Sequence, residues 1–326
     1  MDAPVRRALF DAAALDRLTR VAETDPALVV RDFADPAAAA ALAEAEALFT
    51  GWGCPPLTAG ALERMPRLRT VVHAAGSVKH HITDACWERG LTVASAADAN
   101  AVPVAEYTIA AILFSGKRVL HAARVYRERR SRVSPIEVIG AGGNYRRTVG
   151  VVGASRIGRR VLELLRPYDL RVLLYDPYVD AEEAARLGAR SVSLDTLALS
   201  SDIVTIHAPQ LPETRHLFDR ARLALLADGA TLINTARGSL VDTAALTEEL
   251  VSGRLNAVLD VTDPEVLPSD SPLYDLPNVL LTPHIAGSLG NELHRMTHAA
   301  LDELERYARG LPYASGVRAE ELSRMA

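Results

Sequence analysis

TVGVVGASRIGRRVLELLRPYDLRVLLYDPY, from Thr148 to Tyr178, is the segment that best indicates how this chain folds. It opens with a β-branched run that ends at Gly153, and apolar residues then recur at helical spacing from Ile157 onward. A second apolar run, Arg171–Tyr175, follows and is closed by Asp176. The pattern predicts a strand, a tight turn, a helix and a second strand, which together begin a parallel α/β sheet.

The turn in this segment predicts a dinucleotide site, because a helix start after a glycine turn offers free N–H groups and a positive dipole to a pyrophosphate. Serine replaces the middle glycine of the usual pattern. It fits if its φ is negative, and its hydroxyl could donate to phosphate, but we expect some loss of affinity. The acidic residue about twenty positions on would bind the ribose, and no arginine follows it, which favours NAD over NADP. The residues concerned are Gly153, Ser155, Arg156, Ile157, Gly158 and Asp176.

Composition narrows the class of protein. The chain has 326 residues, 49% of them hydrophobic, which suits two domains with sizeable cores. Its net charge of −5 argues against a nucleic acid or a membrane as the main partner. The sequence has two cysteines, Cys54 and Cys86, and no apolar run of signal-peptide or membrane-spanning length. We therefore expect a cytoplasmic protein without a disulfide framework.

The N-terminal third alternates short strands and helices without a glycine fingerprint of its own, which predicts a separate, smaller α/β domain. Leu28–Val30 is predicted as a short strand in it, and Asn100–Pro103 as the point where the chain leaves it. Val104–Val125 is then predicted as one long helix, apolar around most of its circumference. Such a helix is buried, either within a domain or in a subunit interface.

After Asp176 the alternation of strands and helices resumes, and each strand is largely apolar, as in a parallel sheet covered on both faces. Ligands of such sheets bind at the carboxyl ends of the strands. Three of these ends carry polar residues, namely Thr235–Gly238, Asp260–Glu265 and Pro283–Gly287. We expect these segments to border the functional site.

Arg237, Glu265 and His284 are the candidate reactive groups in these segments. Reduction of a carbonyl by NADH needs a proton donor that titrates near neutrality, for which histidine is suited. A carboxylate beside the histidine fixes its ring, and an arginine holds a substrate carboxylate or carbonyl through its fork of donors. Each residue alone is more often an ordinary turn or surface residue. The three together, on successive strand ends, predict an oxidoreductase.

Two segments closely resemble the D-isomer-specific 2-hydroxyacid dehydrogenase family: His207–Asp242, which contains NTARG, and Leu276–Gly287, which reads LPNVLLTPHIAG. The resemblance implies NAD-dependent interconversion of a 2-keto acid and a D-2-hydroxy acid. It implies a Rossmann-type doubly wound parallel sheet domain in residues 102–287, and a smaller flavodoxin-like α/β substrate domain made from residues 1–101 and 288–326. The active site would lie in the cleft between them, and a homodimer is expected because the family is commonly dimeric.

The resemblance also implies roles for individual residues. Arg237, Glu265 and His284 are catalytic, with the histidine as acid and base. The loop Gly76, Ser77 and Val78 binds the substrate together with Arg237, and no metal is expected. Asp260 would bond the nicotinamide amide. The cofactor contacts implied beyond the glycine turn are His207, Ala208, Pro209, Thr235, Ala236, Asp260, His284 and Gly287.

The substrate loop is where this chain departs most from the family. Family members usually carry a glycine-rich turn with Asp-Asn, whose backbone amides hold the substrate carboxylate. This chain instead continues from Gly76–Val78 into Lys79 and His80. Two cations there favour a substrate with extra negative charge, unless both side chains face solvent. Thr262 also replaces a usual aromatic residue, and a proline precedes Glu265 where one usually follows.

Other functions stay open at this point. Phosphite oxidation uses similar residues within the same family. A non-catalytic NAD(H)-sensing interaction protein, like the family's transcriptional corepressors, would retain the same three polar residues. A methyltransferase also uses a glycine turn and a ribose-binding acid, but it has no role for Arg237, Glu265 and His284 together. The sequence identifies neither the particular substrate nor the physiological direction.

Overall fold

The computed structural model describes residues 1 and 3–322, so residues 2 and 323–326 of the predicted smaller domain lie outside the described part of the chain. The chain divides into two compact units. One unit combines the N-terminal part, up to Ala101, with the C-terminal part from Ser288 onward. The other is continuous from Val102 to Gly287. That the first is a substrate domain and the second a dinucleotide-binding domain stays a prediction.

Strands and helices alternate along most of the described chain. The strands are β1 (Ala47–Thr50), β2 (Thr70–His73), β3 (Thr92–Ser95), β4 (Thr148–Val152), β5 (Arg171–Tyr175), β6 (Arg190–Ser191), β7 (Ile203–Ile206), β8 (Thr231–Asn234), β9 (Asn256–Leu259), β10 (Val279–Leu281) and β11 (Gly316–Val317). The α-helices are α1 (Ala3–Leu9), α2 (Ala12–Val21), α3 (Ala39–Glu44), α4 (Ala59–Glu63), α5 (Asp84–Glu88), α6 (Ala97–Gly116), α7 (Val119–Arg129), α8 (Pro135–Ile139), α9 (Arg156–Leu165), α10 (Ala181–Arg186), α11 (Leu194–Ser200), α12 (Arg220–Leu225), α13 (Thr243–Val251), α14 (Glu292–Ala308) and α15 (Ala319–Leu322). Short 3₁₀ turns lie at Pro36–Ala38, Pro212–Thr214, Gly238–Leu240 and Pro272–Tyr274.

The sheet of the larger unit is parallel throughout and runs in the order β6-β5-β4-β7-β8-β9-β10. This is the doubly wound order, in which the chain first builds outward on one side of β4 and then returns to build on the other. The strand order reverses between β4 and β7, which is the point where sheets of this kind bind their ligands. The predicted α/β fold, with a Rossmann-type sheet and a second, smaller sheet, is confirmed.

Both faces of this sheet are covered, which explains the apolar strands. Val151 packs into the core on one face with Ile112 and Val161, and its neighbour Val152 packs on the opposite face. Gly150 lies between them in β4, and a Cβ atom there would overlap the side chain of Leu197 in α11. The missing side chain therefore lets α11 approach the middle of the sheet closely.

The smaller unit has the strand order β1-β2-β3-β11, with β1 to β3 parallel and β11 antiparallel to β3. It therefore takes strands from both ends of the chain. Helix α14 packs with α1 and α2, where Arg17 bonds the side chains of Asp302 and Glu305. The predicted strand at Leu28–Val30 is wrong, because these residues are irregular and Val30 only packs against the core.

The single helix predicted over Val104–Val125 is also wrong. The chain forms α6 and α7, separated at Lys117 and Arg118, where Arg118 has φ +50°. A Cβ atom at Gly116 would overlap the side chain of Asn144, so the glycine lets that loop close over the end of α6. Helix α7 has no buried residue, so burial was predicted correctly only for the first part. Across the described residues, no helix has the length and hydropathy needed to cross a bilayer.

Candidate active site

The glycine turn joins the end of β4 to the start of α9. Gly153 has φ +92°, and a Cβ atom there would lie 2.8 Å from the main-chain nitrogen of Ala208. A Cβ atom at Gly158 would overlap the carbonyl oxygen of Gly153. Both positions therefore require glycine, one for its backbone angle and one for close packing of the helix on the turn. This is the shape that a pyrophosphate cradle needs.

Ser155 occupies the N-cap of α9 with φ −65° and ψ −175°, so the negative φ that lets a serine fit is present. Its hydroxyl does not cap the helix. It donates to the carbonyl oxygen of His207 at 2.9 Å. The N-terminal N–H groups of α9, whose first turn contains Arg156 and Ile157, consequently receive no side-chain cap, and an anion can take that place.

Asp176 follows β5, and its carboxylate bonds to two main-chain amides. Oδ2 accepts from the N–H of Ala154 at 2.7 Å, and Oδ1 accepts from the N–H of Tyr178 at 2.8 Å. Each carboxylate oxygen has a second acceptor site. Asp176 therefore shapes the glycine turn and keeps the capacity to accept from ribose hydroxyls, as an NAD site requires.

His207, Ala208 and Pro209 follow β7 on the other side of the strand reversal. The His207 side chain points into the protein interior, where its Nε2 lies 2.9 Å from Oγ1 of Thr205. Its Nδ1 has no partner among the described residues, and burial lowers the pKa of His207 to about 3. The imidazole is thus neutral and internal, and the part of His207 at the turn is the carbonyl that Ser155 bonds.

The segment after β8 is shaped by Asn234, which is buried. Its Oδ1 accepts from the N–H of Ala236 at 3.1 Å, and its Nδ2 donates to the carbonyl of Arg237 at 2.9 Å. The hydroxyl oxygens of Thr235 and of Thr108 in α6 lie 3.3 Å apart. These contacts fix the backbone that presents Arg237.

Arg237 is largely buried, and its Nη1 donates to the carbonyl of Ala236 at 2.7 Å. Burial lowers the pKa of the Arg237 guanidinium, and the charge of Glu265 opposes that shift. The group stays cationic, because arginine keeps its proton in proteins. A Cβ atom at Gly238 would overlap the main chain of Thr262, so the loop carrying Arg237 and the loop carrying Glu265 lie directly against each other.

His284 and Glu265 form a hydrogen-bonded pair, with 2.9 Å between His284 Nδ1 and Glu265 Oε1. A carboxylate accepts only, so Nδ1 carries the proton and Nε2 is the ring nitrogen left to exchange a proton with a substrate. Both side chains are exposed, by 49% for His284 and 73% for Glu265. The backbone of His284 has φ +56°, a left-handed conformation that is uncommon for a non-glycine residue and that clusters at functional sites. Gly287 ends this segment.

Asp260 holds the segment that carries His284. Its main-chain carbonyl accepts from the N–H of His284 at 2.9 Å. Its Oδ1 accepts from the Thr282 hydroxyl at 2.6 Å and from the N–H of Ile285 at 2.8 Å, and its Oδ2 accepts from the N–H of Ala286 at 2.8 Å. One acceptor site on Oδ2 is left over for the predicted bond with the nicotinamide amide, which stays a prediction.

The predicted substrate loop, Gly76, Ser77 and Val78, follows β2 in the smaller unit, whereas Arg237, Glu265 and His284 all belong to the larger one. Val78 is buried. Lys79 is half-buried and His80 is exposed, so the solvent-facing alternative fits His80 better than Lys79.

Two buried histidines lie at either end of that loop and were not singled out in the sequence. The rings of His73 and His81 are 4.3 Å apart between centroids. His73 Nδ1 lies 2.8 Å from Oγ1 of Thr50, and His81 Nε2 has no partner among the described residues. Burial lowers the pKa of His73 to about 3 and that of His81 to about 4. The pair is therefore neutral, and it ties the two ends of the loop together.

Asn234, Tyr107 and Thr282 were not predicted as site residues, and Gly238 was predicted only as the end of a polar segment. An asparagine at a strand end and a glycine directly after the candidate arginine are signals of a tight backbone approach, and they could have been used. Tyr107 and Thr282 carried no such signal, since their hydroxyls meet at 2.9 Å across 175 positions of sequence.

The larger unit therefore brings together, at the carboxyl edge of one parallel sheet, a glycine turn, a buried cation and a histidine that can exchange a proton. The main-chain carbonyl of Asp260 bonds the backbone of that histidine, and the carboxylate of Glu265 bonds its ring. Among the described residues, no three His, Cys, Asp or Glu side chains lie close enough together to hold a metal ion. The chemistry of this set is proton transfer coupled to a dinucleotide reaction.

Residues 109–286 match the sequence profile described as "D-isomer specific 2-hydroxyacid dehydrogenase, NAD binding domain". The chain is 33% identical over 260 residues to the D-3-phosphoglycerate dehydrogenase of Archaeoglobus fulgidus, an alignment that covers 78% of this chain and 48% of that one. It is 32% identical over 258 residues to the glyoxylate reductase of Korarchaeum cryptofilum, covering 78% of this chain and 77% of the relative.

The fold is likewise similar to a solved structure. The apo form of the D-mandelate dehydrogenase of Rhodotorula graminis superposes with a TM-score of 0.79 at 26% identity, covering 95% of this chain and 94% of that one. The chain spans about half the length of the phosphoglycerate dehydrogenases that it matches.

Proposed function

The chain belongs to the D-isomer-specific 2-hydroxyacid dehydrogenase family, and we propose that it interconverts a 2-keto acid and a D-2-hydroxy acid with NAD(H). The observation that carries the proposal is the pair of Glu265 and His284, 2.9 Å apart, within the part of the chain that matches the NAD-binding domain. The matched D-3-phosphoglycerate dehydrogenase and glyoxylate reductase are named for such acids.

The residues of the glycine turn fit the cofactor. Gly153 and Gly158 leave no room for a side chain, and the start of α9 has no side-chain cap. The pyrophosphate would lie there, and Asp176 would accept from the ribose hydroxyls, with no arginine in Pro177–Tyr178 to favour a 2′-phosphate. NADH, when bound, supplies the hydride for the carbonyl carbon.

His284 would carry the proton. In the direction of reduction, protonated Nε2 would donate its proton to the carbonyl oxygen, and the ring would end neutral. In the direction of oxidation, neutral Nε2 takes the hydroxyl proton. Glu265 keeps the proton on Nδ1 and stabilises the imidazolium, as its 2.9 Å contact supports.

Arg237 would bind the substrate through its guanidinium, facing the carboxylate or the reacting carbonyl. Its burial supports this role, because a desolvated cation attracts an anion more strongly than an exposed one does. The loop Gly76–Val78 would hold the substrate carboxylate through its backbone amides. The half-buried Lys79 beside that loop favours an acid with a second negative charge.

A homodimer and a cytoplasmic location complete the proposal. Exposed apolar side chains gather on α6, α7 and β10, with Phe114 60%, Leu120 38% and Leu280 36% exposed. They border a groove with a largely apolar lining, and exposed apolar side chains grouped in this way support an interface with a second copy of the chain. Cys54 and Cys86 are both free thiols, which suits a reducing compartment.

The decisive experiment follows NADH absorbance with a panel of 2-keto acids, namely glyoxylate, hydroxypyruvate, phenylpyruvate and dianionic members. His284→Ala should lose at least a hundredfold in kcat. His294→Ala is the matched control, because His294 is 41% exposed and lies 3.7 Å from a carboxylate, that of Asp11, yet belongs to the other unit. Binding of NADH without turnover of any acid would contradict the proposal and favour phosphite oxidation or a sensor of NAD(H).

A further inference from the structure

A chain of hydrogen bonds runs from α6 to the segment that carries His284. The Thr282 hydroxyl donates to Asp260 Oδ1 at 2.6 Å, because a carboxylate can only accept. The proton of Thr282 is thereby used, so Tyr107 must be the donor in its 2.9 Å contact with Thr282. The order is fixed as Tyr107 to Thr282 to Asp260.

The series of hydrogen bonds ends at the carboxylate of Asp260, which holds the segment from Thr282 to Ala286 in place. Asp260 is 1% exposed, and its carboxylate accepts hydrogen bonds from Thr282, Ile285 and Ala286. The left-handed backbone of His284 lies inside that segment. Such a conformation persists only where the surrounding contacts over-determine it. Rotation of the Asp260 carboxylate would release the amides of Ile285 and Ala286 together.

We propose that Tyr107 is a positioning residue for His284, acting through Thr282 and Asp260; this rests on the proposed function. Thr282 alone does not fix the carboxylate, since its hydroxyl has more than one staggered rotamer. The bond from Tyr107 selects the rotamer that donates to Asp260. Burial raises the pKa of Tyr107, so it remains a donor over the working pH range. A displacement of about 1 Å at a reacting group can lower a rate a hundredfold.

The test is a set of variants that remove single hydroxyls. Tyr107→Phe keeps the ring, which lines the groove together with Phe114 and Leu280, and deletes the donor alone. Thr282→Val removes the hydroxyl that links Tyr107 to Asp260, and Thr282→Ser keeps a hydroxyl at that position. The control is Tyr313→Phe, since Tyr313 is a half-buried tyrosine in the smaller unit whose hydroxyl also bonds to a threonine, Thr70.

We expect Tyr107→Phe and Thr282→Val each to lower kcat about five- to tenfold and to raise the solvent deuterium isotope effect, with the Kd for NADH and the melting temperature unchanged. The double variant Tyr107→Phe/Thr282→Val should be no slower than the slower single variant, because both substitutions break the same series of hydrogen bonds. Thr282→Ser and Tyr313→Phe should retain the wild-type kcat. Additive effects in the double variant, or a lower melting temperature without a change in isotope effect, would overturn the inference.

A second readout does not depend on turnover. The imidazole ¹⁵N resonances of His284, which His284→Ala would assign, report on its hydrogen bond to Glu265. They should broaden or shift in Tyr107→Phe and stay in place in Tyr313→Phe. If no keto acid is turned over but these resonances respond, the proposed function fails and the positioning role stands. If turnover is found and neither kcat nor the resonances respond to Tyr107→Phe, only the positioning role fails.

Discussion

The hydroxyl of Ser155 donates to the carbonyl oxygen of His207 at 2.9 Å, which ties the glycine turn after β4 to the end of β7. The bond crosses the point where the strand order reverses, which is where we propose that the dinucleotide binds. Ser155 lies where the usual pattern has glycine, and its side chain stabilises the glycine turn itself.

Removing this bond should weaken cofactor binding. Ser155→Ala keeps the Cβ atom but frees the turn, and a hydrogen bond of this kind contributes about 0.5–1.5 kcal/mol. A loss of this size corresponds to a Kd for NADH that is roughly threefold to tenfold higher. The fluorescence of NADH measures this Kd. Ser193→Ala, which removes the N-cap of α11, should lower stability and leave the Kd unchanged. Tighter binding by Ser155→Ala would mean that the hydroxyl hinders the cofactor.

The charge of Lys79 should decide which acids are preferred. Lys79→Ala is expected to lower kcat/KM for dianionic keto acids about tenfold, the scale of one favourable charge contact, and to affect glyoxylate little. The sequence has one other lysine, and Lys117→Ala serves as the matched control. Selectivity between monoanionic and dianionic acids that is the same in both variants would exclude the role.

Gly238 should tolerate no side chain. In Gly238→Ala the new Cβ atom would overlap the main chain of Thr262, so either the Arg237 loop or the Glu265 loop must move. We expect a loss of about 2 kcal/mol or more in the free energy of unfolding by urea, and a fall in kcat/KM. Gly60→Ala is the control: Gly60 lies in α4 with nothing within 4 Å of the added atom, and the variant should be more stable by about 0.5–1 kcal/mol.

The buried histidines should make the fold sensitive to acid. His73, His81 and His207 have native pKa values of about 3, 4 and 3, against 6.5 when unfolded. As the pH falls below 6.5 the unfolded chain binds protons that the native one excludes, so stability declines until the native values are reached. Each histidine contributes up to about 1.4 kcal/mol per pH unit in that window.

Urea unfolding at pH 7.5 and pH 5.0 measures this dependence. His81→Phe should lose less stability between the two pH values than the wild type, because one proton uptake is removed and the unpartnered Nε2 goes with it. His294→Ala removes an exposed histidine and should behave like the wild type. Equal losses in His81→Phe and the wild type would contradict the assignment of acid sensitivity to this site.

The apolar face of α6 should govern assembly. Light scattering is expected to give twice the chain mass for the wild type and the single-chain mass for Phe114→Glu, since a carboxylate cannot be buried against a partner without cost. Leu199→Glu changes a residue with the same exposure, 59% against 60%, on α11 in another part of the unit. It should leave the dimer intact, and a monomeric wild type would refute the proposed interface.

The dinucleotide fold was predictable because its signals are local. The glycine turn and the apolar strands around Gly153 depend on neighbours in sequence, and the strand ends at Arg237, Glu265 and His284 follow from the topology. The split of α6 and α7 was not predictable from periodicity, because it depends on a loop residue, Asn144, that packs against Gly116.

Long-range side-chain contacts were the other part that sequence reasoning could not supply. Nothing near Ser155 indicates that its hydroxyl bonds a residue 52 positions away, and nothing near Tyr107 indicates Thr282. The segment Leu28–Val30 was wrongly predicted as a strand. Three apolar residues in a row fit the pattern of a buried strand, but the segment is irregular and is not part of either sheet.

The smaller unit draws its strands and helices from both ends of the chain, with Arg17 bonded to Glu305 across 288 positions. During synthesis the ribosome completes the continuous unit from Val102 to Gly287 first. The strand β3 is translated before this unit, whereas its neighbour β11 is translated after it. We therefore expect the smaller unit to complete its sheet after the larger unit, although its first strands are translated earlier, and one edge of β3 stays unpaired in the interval.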